Sequence, residues 1–380
     1  MRKPRPTVIR TRNLLFAFLL GATAAQAGGH NAPGQGPVAA GQGQKTVDLV
    51  IALDTSSSMN GLIDAARQKL WDAVILLGQA KPQPLLRVGV ISYGNTSYDR
   101  SAGWVRKDAD LTTDLDSVYA KLFALRTGGG DEYVARAVHR ATTDMAWSKD
   151  GSALRIIFVA GNEPATQDPE IPVERAVSAA REAGILVNTI YCGSSSAAEA
   201  SVWQKVAALG GGEYAAIDHN QSVAQPTTPM DAELARLGAE LNKTYIAYGA
   251  GGQGRAANMA EQDKNAASAS PSTAARRAEG KSSGVYRNDD WDLVDARKHK
   301  KPVAEADMPQ DLKVLKPFER EALITKKAEE RANVQRQIAE VSKRRQEYLK
   351  TEKPKKASQD FDDAFSGTIK KEATKSGLAF

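Results

Sequence analysis

One cysteine and four histidines in 380 residues withdraw two chemistries at the outset. Cys192 has no second cysteine to pair with, so no internal disulfide braces the chain, and stability must come from a packed core or a bound ion. It ends the apolar run ILVNTIYC, where a thiol is expected to be buried and inert. His30, His139, His219 and His299 are scattered, with no H-E-x-x-H pattern to hold a catalytic zinc. No G-x-S-x-G elbow presents a nucleophilic serine either; Ser57 is followed by Ser58-Met59. A cell-envelope hydrolase therefore ranks third among the functions considered, and no catalytic residue is nominated.

Long apolar runs are also scarce. Leu14 to Leu20 is too short to span a bilayer, and it lies between a basic stretch (Arg2, Lys3, Arg5, Arg10, Arg12) and Ala25-Gln26-Ala27. These three zones predict a secretory signal peptide over 1–27, cleaved after Ala27, and with no cysteine after the cut it is not a lipoprotein leader. A periplasmic or secreted chain is expected, with no transmembrane span after cleavage.

The leader changes the meaning of the charge. The full chain carries +6, but five of its basic residues lie in the leader. Residues 28–296 hold 25 Lys and Arg against 31 Asp and Glu, whereas residues 297–380 hold 21 against 14. An acidic head is joined to a basic tail that is itself rich in acids, which points away from nucleic acid and toward a solvated helix or an anionic surface.

Residues 28–45 form a Gly, Pro, Gln and Ala tether without periodicity. From Thr46 short apolar runs alternate with helical stretches. The runs are 47–53, 85–93, 154–160, 185–192 and the weaker 213–218; between them lie helical patterns over 62–77, 115–125, 134–147, 173–183 and 198–209. The runs are Val- and Ile-rich without strict polar alternation, as in strands covered on both faces. This order predicts an α/β fold, a doubly wound, mostly parallel sheet flanked by helices. A short extra strand near 103–107 is expected at an antiparallel edge, before Thr113 caps the next helix.

After the sheet region, 46–225, residues 226–296 read as a helix plus low-complexity linker, with 249–288 combining an Ala-rich helix and loose chain. Residues 297–380 read as a charged, helical and partly disordered C-terminal region. Its long helix, about 317–350, carries a narrow stripe of Val334, Ile338, Val341 and Tyr348 interrupted by Arg345. Docking on its own globular domain, or simply a solvated helix, is favoured over a coiled coil for self-association.

Chemistry is concentrated where the first strand ends, in Asp54-Thr55-Ser56-Ser57-Ser58. Ligands of doubly wound sheets sit outside the carboxyl ends of the strands, and hard cations prefer oxygen donors. This D-x-S-x-S run, with the later LLRVGVISY and LRIIFVAGNEP, resembles the metal-ion-dependent adhesion site (MIDAS) of von Willebrand factor type A domains over 46 to about 225. The resemblance implies that Ser56 and Ser58 coordinate Mg²⁺ or Mn²⁺ directly and that Asp54 acts through a water. Several neutral ligands would leave the cation able to take an acidic side chain from a partner protein.

The glycine-rich loop Thr127-Gly128-Gly129-Gly130-Asp131-Glu132 stands where the family usually offers a threonine. Asp131 is the favoured donor there, with Thr127 as the fallback. The aspartate that the family places after the fourth strand is replaced by Asn162, which keeps a carbonyl oxygen but loses a charge; Asp168 is expected to point away. The resulting expectation is a non-enzymatic, metal-dependent protein-binding module using Asp54, Ser56, Ser58, Asp131 and Asn162. The alternative is an envelope structural or assembly protein with a degenerate site, acting through its C-terminal helix.

Two other patterns carry no weight. Gly249 to Gly254 fits G-x-G-x-x-G without a βαβ unit downstream, and Gly280-Lys281-Ser282 lacks the upstream glycine of a phosphate-binding loop.

Overall fold

The computed structural model describes residues 44–217, 226–351 and 356–380. The expected leader and cleavage site, residues 28–43 of the tether, and His30 and His219 lie outside the described residues.

The strands are β1 (Thr46–Asp54), β2 (Leu85–Tyr93), β3 (Val105–Thr112), β4 (Leu154–Gly161), β5 (Leu186–Cys192) and β6 (Gly211–Ile217). They form one sheet in the order β3-β2-β1-β4-β5-β6. Every pairing is parallel except β2 with β3. The edge strand is longer than the expected 103–107, because VRKDADL is charged and hides the strand signal on its solvent side. Five helices connect the strands, α2 and α3 both lying between β3 and β4: α1 (Asn60–Gln79), α2 (Leu115–Ala124), α3 (Val134–Asp144), α4 (Val173–Glu182) and α5 (Ala198–Leu209). The cap of α2 is Asp114, not Thr113; its carboxylate accepts from the Ser117 amide at 3.1 Å.

Side chains alternate across the buried strands. Val50, Ala52, Ile157 and Val159 face α3, α4 and α5, while Leu49, Ile51, Leu53, Ile156 and Phe158 face α1 and α2. The second face is completed from the far end of the chain. Helix α6 (Asp231–Asn242) is followed by α7 (Gly252–Ala269), α8 (Pro271–Ser282), α9 (Leu293–Lys298), α10 (Gln310–Lys313), α11 (Pro317–Thr351) and α12 (Lys356–Lys375). From α12, Phe365, Ile369 and Ala373 enter the same core as α1, with the Phe365 ring 4.6 Å from that of Phe158. Beyond it Leu378 is buried, and Ala379 exchanges two backbone hydrogen bonds with Lys81, at 2.8 and 2.9 Å.

Residues 249–288 are not loose chain. They hold α7 and α8, and α8 packs against α1 and α6. The charges that make this stretch look solvated are spent internally: Arg276 Nε donates to Asp72 at 2.8 Å, Arg277 pairs with Asp116 at 2.9 Å, and Lys281 pairs with Asp263 at 2.8 Å. Arg345, which breaks the apolar stripe of α11, is itself buried against Asp231 at 2.8 Å. Val334, Ile338 and Val341 pack on Leu234, Leu237 and Leu241 of α6, so the stripe is used within the chain, and Tyr348 is half-buried. No described helix is long and apolar enough to cross a membrane.

Phe365→Ala should lower stability by about 3–5 kcal/mol, since the ring leaves a cavity in a close-packed core. Urea unfolding followed by circular dichroism checks this. Acid gives a second measurement. Burial alone would raise the Asp72 carboxyl, but Arg276 and Lys69 outweigh that and hold it at about 2. A depressed carboxylate contributes stability above its unfolded value, and the contribution is lost as pH falls toward its folded value. Asp72 should therefore supply about 2 kcal/mol that disappears between about pH 4 and pH 2. Asp72→Asn should flatten that part of the stability curve.

Candidate functional site

The order of the sheet reverses between β1 and β4, and the carboxyl ends of these strands make the crevice where doubly wound folds hold ligands. Asp54 is the last residue of β1, Gly94 follows β2, and Asn162 follows β4. Ser56 is buried and Ser58 is exposed in the turn between β1 and α1.

These groups meet. Asp54 Oδ1 accepts from the Ser56 amide at 2.7 Å, which folds the turn back over the strand end. The Ser56 and Ser58 hydroxyls lie 3.3 Å apart, and Asn162 Nδ2 donates to Ser58 Oγ at 3.3 Å. The glycine-rich loop closes the same crevice: the Gly128 amide donates to the Thr55 carbonyl at 2.9 Å, and the Thr96 amide donates to the Gly129 carbonyl at 2.8 Å. Thr127 is half-buried in this loop.

Asp131 is not the loop's inward carboxylate. It is exposed and accepts from Trp104 Nε1 at 3.4 Å and from the Tyr133 hydroxyl at 3.1 Å. The next residue, Glu132, is 8% exposed and faces Asp54. Burial, then the Asp54 and Glu163 charges, push the Glu132 carboxyl up to about 8. Burial similarly pushes Asp54 up to about 7, with a further push from Glu163. Adjacent loop residues project differently, and the GGGDE sequence alone does not say which acid turns inward; the sole available signal is that Glu132 precedes the buried face of α3 by two residues. Asp168 does point away: Arg136 grips it at 2.8 and 2.9 Å, and the amides of Glu170 and Ile171 cap it.

In the crevice, three shielded oxygens lack a hydrogen-bond partner among the described residues: Asp54 Oδ2, Glu132 Oε2 and Asn162 Oδ1. The Asn162 amide and the Ser56 hydroxyl moderate the two carboxyls without satisfying these atoms. Unpaired buried acceptors are costly, and crowded carboxylates more so, unless a cation relieves them. The donor set of carboxylate, hydroxyl and amide oxygens suits a hard divalent cation. Among the described residues no three His, Cys, Asp or Glu side chains are grouped to hold a metal, so the fit depends on the serines and Asn162.

A cavity of about 390 Å³ lies elsewhere, between α8, α9 and α11. Its Lys281 and Arg331 are occupied by Asp263 and by Asp292 with Asp295, whereas the D-x-S-x-S crevice holds the unpartnered oxygens of Asp54, Glu132 and Asn162. Gly94 has φ +75°, and a Cβ there would stand 2.8 Å from Glu132 Cγ and 3.0 Å from Asp54 Oδ1. Gly94→Ala should therefore cost about 1–3 kcal/mol and displace the Glu132 loop. A lowered melting temperature with an altered side-chain NMR spectrum at Glu132 is the expected result.

Residues 48–223 match the family model described as von Willebrand factor type A domain. No curated protein matches the chain. Among solved structures, proximal thread matrix protein 1 from the mussel byssus, with a zinc-occupied MIDAS motif, is 13% identical with a TM-score of 0.31, over 40% of this chain and 37% of that one. The VWA domain of SpRpn10 is 15% identical with a TM-score of 0.34, over 45% and 88%. The pilus adhesin SpaC from Lactobacillus rhamnosus GG, in its open conformation, is 14% identical with a TM-score of 0.35, over 47% and 28%. This chain thus spans well under half the length of the mussel protein and of the adhesin. With the family model running from β1 to just beyond β6, the chain carries a von Willebrand factor type A domain over residues 48–223.

Proposed function

We propose that this chain is an exported, non-enzymatic binding protein whose type A domain engages an acidic side chain of a partner protein through Mg²⁺ or Mn²⁺. The observation that carries this reading is the convergence of three unpartnered, shielded oxygens, from Asp54, Glu132 and Asn162, beside two serine hydroxyls. Ser56, Ser58, Asp54 and Glu132 are the residues that would hold the ion, with Asn162 contributing its carbonyl oxygen. When bound, the ion supplies a Lewis-acid position for a carboxylate from outside.

The chain's own residues explain how the site stays selective for such an ion. The Ser56 amide fixes one oxygen of Asp54 and leaves the other facing the crevice. Asn162 in place of an acid removes one negative charge, and Glu132 would restore one on losing its proton to make room for the ion. Gly94 and Gly161 keep both walls free of side chains; a Cβ on Gly161 would lie 3.2 Å from Asp54 Oδ2. Export rests on the leader read from residues 1–27. The alternative of a C-terminal helix acting on a partner has less support, because Val334, Ile338 and Val341 are covered within the chain.

Calorimetric titration of Mg²⁺ and Mn²⁺ tests the reading. The protein should bind one ion saturably, and Asp54→Ala and Ser56→Ala should abolish binding with circular dichroism unchanged. Glu132→Gln should weaken it by about tenfold or more, since ligand charge sets cation affinity. Asp131→Asn should leave it unaltered. A protein that takes up neither ion at millimolar concentration does not work in this way.

A further inference from the structure

The most exposed large apolar side chains in the described residues are Val314, 74% exposed, and Phe318, 67% exposed. They lie four residues apart where α10 gives way to α11. Phe318 shares a helical face with Glu321 and Thr325, at spacings of three and seven. Glu321 is paired with Arg297 of α9 at 2.5 Å, and Lys298 lines the same cavity as Glu321 and Thr325. The end of α9 and the first turns of α11 therefore form one corner of the molecule.

That corner is basic in a particular way. Lys298, Lys300, Lys316 and Lys326 are exposed, and none has an ion-pair partner among the described residues. Of the nearby acids, Glu305 pairs with Arg320 at 3.0 Å and Glu321 with Arg297, whereas Glu319 accepts from the Lys316 amide at 2.8 Å and keeps its charge. Asp307, Asp311 and Glu329 also have no ion-pair partner among the described residues, but over 297–330 nine Lys and Arg stand against seven Asp and Glu, so the balance is positive. The corner also belongs to the C-terminal region, residues 297–380, that carries the basic excess.

We propose that this corner docks the protein on an anionic membrane surface. Phe318 and Val314 enter the headgroup layer, and Lys298, Lys300, Lys316 and Lys326 face lipid phosphates. Two apolar side chains are too few for the core of a stable protein interface. A bilayer surface instead rewards shallow apolar insertion beside unpaired lysines. The site is separate from the candidate cation crevice and does not rest on it. It would hold the type A domain at a lipid surface while that crevice engages a partner.

Cosedimentation of the full chain with vesicles rich in phosphatidylglycerol, and with pure phosphatidylcholine vesicles, tests this. Wild-type protein should bind the anionic vesicles, and added salt should weaken the binding. The double variant Val314→Glu, Phe318→Glu and the double variant Lys298→Glu, Lys316→Glu should each lose about tenfold in affinity. Their circular dichroism and melting temperature should match the parent, because all four side chains are exposed. Equal binding by parent and variants, equal binding to both vesicle types, or no binding would overturn the proposal. The leader is identical in every variant and cannot produce the expected difference.

Discussion

A parallel sheet with two apolar faces must be covered on both, and here that requirement reaches across the whole chain. Helices α3, α4 and α5 close one face from within the sheet region. On the other, α1 and α2 leave Phe158, Ile190 and Ile217 in a core that also takes Phe365, Ile369 and Leu378 from the C-terminus. Residues beyond the family match are thus part of the sheet's own core. The tail is folded because the sheet needs it, not because its charged sequence favours order.

Charge performs the second task, that of register. Arg276, Arg277 and Lys281 pin α8 to α1, α2 and α7 through Asp72, Asp116 and Asp263, while Arg331 and Arg345 lock α11 to α9 and α6. Buried pairs of this kind add little net stability over apolar packing, but losing one partner strands the other charge. They fix which helix faces meet. An apolar contact of the same area would tolerate sliding.

The candidate site inherits its geometry from this frame. The crevice exists because β1 and β4 adjoin while the chain departs from them in opposite directions. Into it the fold directs two carboxyls that burial renders reluctant to ionise, raised to about 7 for Asp54 and about 8 for Glu132. A site that collects unsatisfied oxygens is stabilised by whatever supplies positive charge, which is the physical ground for the cation proposed there.

Much of this was legible in the residues. Val- and Ile-rich runs separated by helical periods fix the parallel sheet, and D-x-S-x-S marks the crevice, since both depend on short-range pattern and strand order. Side-chain direction in a glycine-rich loop does not: Asp131 and Glu132 are adjacent and chemically alike, and only packing against Asp54 and Gly94 turns the second one inward. Nor does local pattern show that a charged stretch is buried. Arg276, Arg277, Lys281 and Arg345 are held by partners up to 204 residues away, and burial of an ion depends on that partner. Sequence determined which elements form and in what order; tertiary structure decided which charges are spent, which acid faces the site, and that the last helix closes the first sheet.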